Sequence, residues 1–510
     1  MAKSDHRRRY WPIRYRLQGL ASRNTNIPRK FCSGAIGAVS TIGEWFAAYV
    51  LPGLLALEQE LLLFAAFWFI ISALDEMAVD FSWLWLRLTG RARDRSLPQS
   101  TENPVLGGRA AVLVPAWQED EVIGTMVSHT LKVWPQQAMV LYVGCYSNDP
   151  ATITAAMKGA AGDPRVRLVI LDRQGPTTKA DCLNRLYRAL CDDEQRSATR
   201  FKSVILHDAE DMVHPAALGA IDRALSEVEF VQLPVRPEPQ PSSNWVAGHY
   251  SDEFAEAHAK SMVVRHALGA AIPAAGVGCG FARKVFEQLV EERAGNDMPG
   301  PFAADCLTED YELGLLVSLG GGKSSFLRLR DQFGDLVATR AFFPSRIEDA
   351  VRQKARWVHG IAFQGWDRLG WKGGLIDMWM AVRDRRGPLT AIVLAAAYLL
   401  IVIEAVLGVA RLSGWQGPHA ISPVLAAMLA ASFAAFVWRA LWRFGFTARE
   451  YGLAEGVLAV LRIPVANVIS IMAGRRAIMS YIRSLRGSQP DWDKTAHFGH
   501  PAIRPQLAAS

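Results

Sequence analysis

Three short clusters of polar residues in this 510-residue chain have the types and spacing to do chemistry. In SVILHDAEDMVHP, a β-type run ends in Asp208, with Glu210 two residues on and Asp211 after it. Two carboxylates at x and x+2, leaving one strand end, can hold a hard divalent cation together with a diphosphate. Such an ion would neutralise charge growing on a phosphate leaving group; a solvated acidic turn is the alternative. His207 and His214 fit no zinc spacing, so local hydrogen bonding is expected of them. In CLTEDYELGLL, Thr308, Glu309 and Asp310 open a helix. Acids there either favour the helix dipole or supply a general base for a hydroxyl. In RQKARWVHG, Gln353, Arg356 and Trp357 fall at i, i+3 and i+4 and share one helix face. From it a guanidinium can grip a diphosphate and an indole can stack on a pyranose ring; alternatively both anchor an interfacial helix. Two earlier pieces complete the set. AVLVPAWQEDEVIG puts Pro115, Glu119 and Asp120 at the end of a first strand, and KADCLNRLYRAL sets Lys179 and Asn184 at a helix opening, where a cation and free amides suit an anion.

These pieces need a scaffold. Residues 109–345 alternate β-type runs (AAVLVPA, MVLYVGC, VRLVIL, SVILHD, FVQLPV) with helical patterns. That alternation predicts a mostly parallel sheet with helices on both faces, and ligands then gather beyond the carboxyl ends of the strands. Hydrophobic residues make up 50% of the chain and charged residues 21%, but the apolar share concentrates at the two ends. A membrane-spanning helix needs ~20 mostly apolar residues. Residues 34–57 and 61–86 are the N-terminal candidates, joined by a short LEQE turn, and 389–410 and 421–442 are the C-terminal ones. Asp75, Glu76 and Asp80 are expected at the membrane interface beside an aromatic belt of Trp83 and Trp85. Residues 452–474 contain Arg462 and Pro464 and read as a surface or re-entrant helix. Four crossings would leave both termini and the sheet domain in the cytoplasm.

The organisation expected is therefore a basic segment over 1–33, membrane helices over 34–88, a catalytic α/β domain over 105–345, and interfacial helices over 346–386. Membrane and interfacial helices follow over 387–486, with a tail over 487–510. The net charge of +7 reflects the basic N-terminal cluster. That cluster suits anionic lipid and matches no nucleic-acid module, so no nucleic-acid partner is expected. Six scattered cysteines without a CxxC pair suggest neither a disulfide framework nor a thiolate zinc site.

In order, VPAWQED, YSNDPAT, KADCLN, HDAED, TED and QKARW resemble glycosyltransferase family 2, in its cellulose-synthase-like membrane branch, over about residues 109–360. The forms PAWQEDEVIG, HDAEDMVHP and the tail WDKTAHFGHP look most like the NfrB-type phage-adsorption inner-membrane proteins. The resemblance implies a GT-A (Rossmann-like) nucleotide-sugar domain inserted between N- and C-terminal transmembrane helices, in a bacterial inner membrane with the domain on the cytoplasmic side. It implies that Asp208 and Glu210 hold Mg²⁺ or Mn²⁺ and that Asp310 is the general base. Pro115, Glu119, Asp149 and Lys179 would meet a UDP-sugar donor. Glu309, Gln353, Arg356 and Trp357 would hold the diphosphate and a glycan or lipid-linked acceptor. The outcome would be inverting, processive transfer of a hexosyl or N-acetylhexosaminyl unit, with an envelope export partner or an oligomer assisting. Two departures stand out: the usual DxD is DAE, and the early DDG is absent, leaving Asp149 as a displaced candidate. The chain also ends before the C-terminal regulatory module expected of full-length NfrB-type proteins, and it shows no RxxxR motif of the PilZ kind. The alternative is a non-catalytic envelope scaffold or phage-adsorption component with a degenerate transferase domain.

Overall fold

The computed structural model describes residues 44–92, 94–97, 104–294, 300–417, 421–487 and 499–503. The basic N-terminal segment and most of the WDKTAHFGHP tail lie outside them. Among the described residues, eleven strands run in chain order: β1 (Arg95–Ser96), β2 (Arg109–Pro115), β3 (Met139–Tyr146), β4 (Val166–Leu171), β5 (Phe201–Leu206), β6 (Phe230–Gln232), β7 (Val235–Pro237), β8 (Cys279–Ala282), β9 (Ser324–Phe326), β10 (Leu329–Arg330) and β11 (Thr339–Ala341). Seven of them form one sheet in the order β4-β3-β2-β5-β8-β6-β9. Its strands pair in parallel except β8, which runs antiparallel between β5 and β6. Four expected runs became β2 to β5. The fifth, FVQLPV, divides at Leu233–Pro234: proline cannot donate to a ladder, so β6 stays in the sheet while β7 pairs with β11.

Alternation along β2 shows why the sheet is buried on both faces. Ala110, Val112 and Val114 join one apolar layer, while Ala111 and Leu113 join the other. All five are fully buried, as a parallel sheet covered by helices on both sides requires.

Among the described residues, three helices are long and apolar enough to cross a membrane: Phe46–Leu88, Gly387–Leu412 and Pro423–Tyr451. The first corrects the expectation of two N-terminal spans joined by LEQE. Leu57 to Glu60 lie inside one continuous helix, because Leu, Glu and Gln are strong helix formers and no glycine or proline follows to break it. Leu453–Leu461 and Ile463–Ser484 form a pair bent by 51°, making a fourth crossing only if they act as one span. The break falls at Arg462, 1% exposed and ion-paired to Asp252 at 2.7 Å.

The chain divides into two compact units, residues 1–58 with 403–419, and 59–402 with 420–510. The sheet belongs to the second unit, as does a buried charge network that replaces the expected interfacial caps. Asp75 and Glu76 pair with Arg383 and Arg386, and Glu76 also with Arg439 at 2.6 Å. Asp80 and Glu256 both bind the fully buried Lys260. Trp83 is no exposed belt residue either, since its indole donates to Ala259 O at 2.8 Å; Trp85 is exposed.

Candidate active site

Beyond the carboxyl ends of β2 and β5 lies a cavity of about 570 Å³. Of the residues singled out from sequence, Pro115, Glu119, Lys179, Asp208, Glu210, Glu309, Asp310, Gln353, Arg356 and Trp357 all line it. Asp149 does not. Buried at 7% exposure, it caps the helix Pro150–Ala160 through Thr152 N and accepts the Gln118 amide at 2.6 Å. Its work is local: it holds Gln118 in a left-handed conformation (φ 53°), which turns the chain leaving β2. Asn184 is likewise occupied, exchanging hydrogen bonds of 2.8 and 2.9 Å with the backbone of Phe302.

The centre of the cavity is Lys179. It opens the helix Lys179–Ser197, capped by Thr178, and its Nζ lies 2.6 Å from Asp208 Oδ1. Burial alone would lower its pKa, but the carboxylates of Asp208, Glu309 and Asp310 more than offset this and raise it. Burial pushes the other partners the opposite way. Glu309 rises to about 7, chiefly by desolvation and then by the Asp310 charge, against the pull of Lys179. Asp310 is raised by burial too, again opposed by Lys179 and by Arg356. A base tuned upward sits closer to the operating pH.

The acidic turn after β5 is closed by Asp211, whose Oδ2 accepts His207 Nδ1 at 2.7 Å and the Asp208 amide at 3.0 Å. That occupies Asp211 and leaves Asp208 and Glu210 as the pair facing the cavity. His214 Nδ1 accepts the Ala216 amide, so both histidines hydrogen-bond locally as expected. Among the described residues no group of three or more His, Cys, Asp or Glu could hold a metal ion. Two carboxylates plus diphosphate oxygens nonetheless suit Mg²⁺, which characteristically takes one or two carboxylates and substrate phosphates. An ammonium held against Asp208 shows that cationic charge is favoured there.

Across the cavity, Gln353, Arg356 and Trp357 lie on the helix Ile347–Val358, which continues into a π-helical stretch, His359–Gln364. Trp357 packs edge-on to Tyr250 at 6.2 Å and against Phe254 at 6.5 Å. Three buried polar atoms around this wall have no hydrogen-bond partner among the described residues: Thr308 Oγ1, Glu309 Oε1 and Gln353 Oε1.

Sequence reasoning missed several lining residues. Trp117, packed edge-on to Tyr146 at 5.0 Å, stood inside a motif read only for Pro115, Glu119 and Asp120. Glu253, Phe254 and Phe343 lie in stretches without a recognisable pattern. The Ala275–Gly278 approach to β8 was legible in principle as GVGCG, because Gly276 (φ 75°) and Gly278 (φ 59°) take left-handed conformations.

A family model described as Glycosyltransferase like family 2 matches residues 108–360. Two curated relatives, bacteriophage adsorption protein B of Escherichia coli K12 and bacteriophage N4 adsorption protein B of Escherichia coli O157:H7, are each 32% identical over 459 residues, or 84% of this chain. The chain spans 60% of the length of these relatives. Among solved structures, a mannosyltransferase from Pyrobaculum calidifontis in complex with GDP-Man and Mn²⁺ is similar over 79% of this chain and 98% of its own, at 15% identity and a TM-score of 0.46. Glucosyl-3-phosphoglycerate synthase from Mycobacterium tuberculosis with Mg²⁺ and UDP covers 55% of this chain and 88% of its own, at 17% identity and a TM-score of 0.34. With a mixed α/β sheet, and with apolar helices before and after it in sequence, the chain carries a domain that matches glycosyltransferase family 2 over residues 108–360.

Proposed function

We propose that this protein is an inverting membrane glycosyltransferase, moving a hexosyl or N-acetylhexosaminyl unit from a UDP-sugar to a growing polysaccharide or lipid-linked acceptor. The carrying observation is the convergence on one cavity of Asp310, held beside Lys179, with three buried polar atoms that no group among the described residues satisfies. Each such atom costs ~1–3 kcal/mol, a cost that a bound sugar's hydroxyls would offset. Asp310 takes the proton of the acceptor hydroxyl as its oxygen attacks the anomeric carbon. The bond from that carbon to the diphosphate breaks, UDP leaves, and single displacement converts an α-linked donor into a β-linkage. Lys179 and Arg356 offset the charge of the departing diphosphate, Pro115 and Glu119 flank the donor end, and Gln353 and Trp357 orient the acceptor sugar. Asp208 and Glu210 would hold Mg²⁺ or Mn²⁺, whose contribution when bound is to neutralise the leaving diphosphate. Placement in a bacterial inner membrane, with the cavity on the cytoplasmic side where nucleotide sugars are made, belongs to the same reading.

The test is UDP release by the purified protein across a panel of nucleotide sugars with Mn²⁺. Asp310→Asn keeps size and polarity, and is expected to lower kcat by ~10²-fold or more with little change in UDP binding. The names of the curated relatives favour a second reading, a non-catalytic envelope component acting in phage adsorption. No UDP release from any donor, in a protein that nevertheless binds UDP, would support it.

A further inference from the structure

The turn that carries Asp208 and Glu210 is fastened from outside as well as from within. Met212 exchanges backbone hydrogen bonds of 2.7 and 3.0 Å with Arg340. Three side-chain N–H groups then take the turn's carbonyl oxygens. His129 Nε2 donates to Val213 O at 3.0 Å, Trp134 Nε1 to His214 O at 3.0 Å, and His500 Nε2 to Asp211 O at 3.1 Å. His129 and Trp134 come from the helix Ile123–Val133 and its C-cap. His500 comes from 289 positions further along the chain.

His500 is a built contact. Its side chain is 1% exposed, and Pro501, which opens a single 3₁₀ turn through Ile503, is buried beside it. The Ala502 amide donates to His500 Nδ1 at 3.1 Å. A ring nitrogen that accepts carries no proton, so the proton of the neutral imidazole is on Nε2, aimed at Asp211 O. Asp211 in turn is 1% exposed and closes the turn through its bonds to His207 and the Asp208 amide. Removing the imidazole would leave a buried carbonyl without a partner on the residue next to Glu210.

We propose that His500 is a positioning residue, and that residues 499–503 latch the Asp208–Asp211 turn so that the Asp208 and Glu210 carboxylates keep the separation a divalent cation and a diphosphate require. The proposal rests on the reading of Asp208 and Glu210 as the cation-holding pair. Partners that orient metal ligands from behind are worth roughly 10–100-fold in metal affinity, and a hydrogen bond to the ligand-bearing backbone belongs to that class.

The experiment uses the full chain in detergent, as wild type, His500→Ala and His500→Gln. It measures Mn²⁺ binding in the presence of UDP, and amide hydrogen exchange over 207–213 with β3 as the fold control. His500→Ala is expected to weaken Mn²⁺ binding ~10-fold and to speed exchange in the turn, with β3 unchanged and kcat at saturating Mn²⁺ within ~3-fold of wild type. His500→Gln, which keeps an N–H at similar reach, is expected to recover most of both losses. Wild-type exchange and wild-type Mn²⁺ affinity in His500→Ala would overturn the latch, as would accelerated exchange in β3, which would mean a general loss of fold. A wild-type protein that binds no Mn²⁺ with UDP would instead overturn the cation reading, and the latch's purpose with it.

Discussion

Replacing Gly276 by alanine should disable the proposed base while leaving Asp310 itself unchanged in sequence. Gly276 has φ 75°, and a Cβ there would lie 2.0 Å from Asp310 Oδ2 and 3.3 Å from Lys179 Nζ. Real Cβ atoms essentially never come within 3.0 Å of another heavy atom, so the carboxylate must retreat by the difference of 3.0 and 2.0 Å, about 1 Å. A displacement of ~1 Å at a reacting group costs on the order of 10²-fold in rate, or ~2.7 kcal/mol of barrier. The left-handed backbone adds a separate strain of ~1–3 kcal/mol against folding, and a control is needed to tell the two apart. Gly321→Ala supplies it: φ is 83° and nothing lies within 4 Å of its added Cβ. Both variants should lose thermal stability to a similar degree. Only Gly276→Ala should lose UDP release by ~10²-fold, with UDP affinity nearly unchanged. Equal turnover in the two variants would refute the argument that this glycine exists to let Asp310 approach Lys179.

EDTA should abolish transfer and Mn²⁺ or Mg²⁺ restore it, and Asp208→Asn should lose most turnover in a folded protein; full activity in metal-free buffer would remove Asp208 and Glu210 from the cation role. Glu309 has a folded pKa near 7 against an ordinary 4.5, so the folded state keeps a proton that the unfolded chain gives up. That stabilisation is complete below about 4.5 and is lost as pH rises towards 7. Glu309→Gln should therefore raise the thermal midpoint of the ligand-free protein more at pH 8 than at pH 5, and an equal effect at both would contradict it. For topology, cysteine at Ser413, beyond the end of the helix Gly387–Leu412, should react with an impermeant thiol reagent in intact cells, while cysteine at the exposed Ser197 of the sheet domain should not. Reaction at Ser197 would invert the orientation. Trp357→Ala should shorten products more than it slows the first transfer; release of singly extended acceptors by wild type would remove processivity.

Much of the site was legible because its chemistry is local in sequence. Asp208 and Glu210 leave one strand, Glu309 and Asp310 open one helix, and Gln353, Arg356 and Trp357 share one helical face, so each spacing was already a statement about geometry. What could not be read was competition for the same side chain. Asp149 stands in a loop beyond a strand, where a donor contact was reasonable, but its carboxylate is used by Gln118 and Thr152. Charges also misled the reading of the membrane helices. LEQE was taken as a turn, yet a helix tolerates Glu and Gln, and without Gly or Pro nothing stops it. The acids Asp75, Glu76 and Asp80 were read as interfacial because their cationic partners, Arg383, Arg439 and Lys260, lie about 180 to 360 positions away. The β8 strand was invisible for another reason: four residues with a central glycine carry no alternation, and its place is set by β5 and β6 on either side.

That distant pairing bears on where an acceptor enters. Asp384 lines the cavity, held by both oxygens to Arg265 Nη1 at 2.9 Å and by the Tyr311 hydroxyl at 2.8 Å. Its sequence neighbour Arg383 points the other way, to Asp75 and Glu76 on the long apolar helix, and Arg386 joins the same pair. One short helix, Leu375–Arg385, therefore contributes to the cavity wall on one side and is bolted to a membrane-type helix on the other. Removing one partner of a buried ion pair costs ~3–5 kcal/mol, so the two are held together firmly. An enzyme acting on a small soluble acceptor gains nothing from fixing this end of its cavity to an apolar helix. One that must meet an acceptor held in or passing through a lipid bilayer needs the reacting carboxylate at a constant distance from that helix. On the proposed function, the charge network would hold the cavity at a fixed place relative to a membrane-retained acceptor.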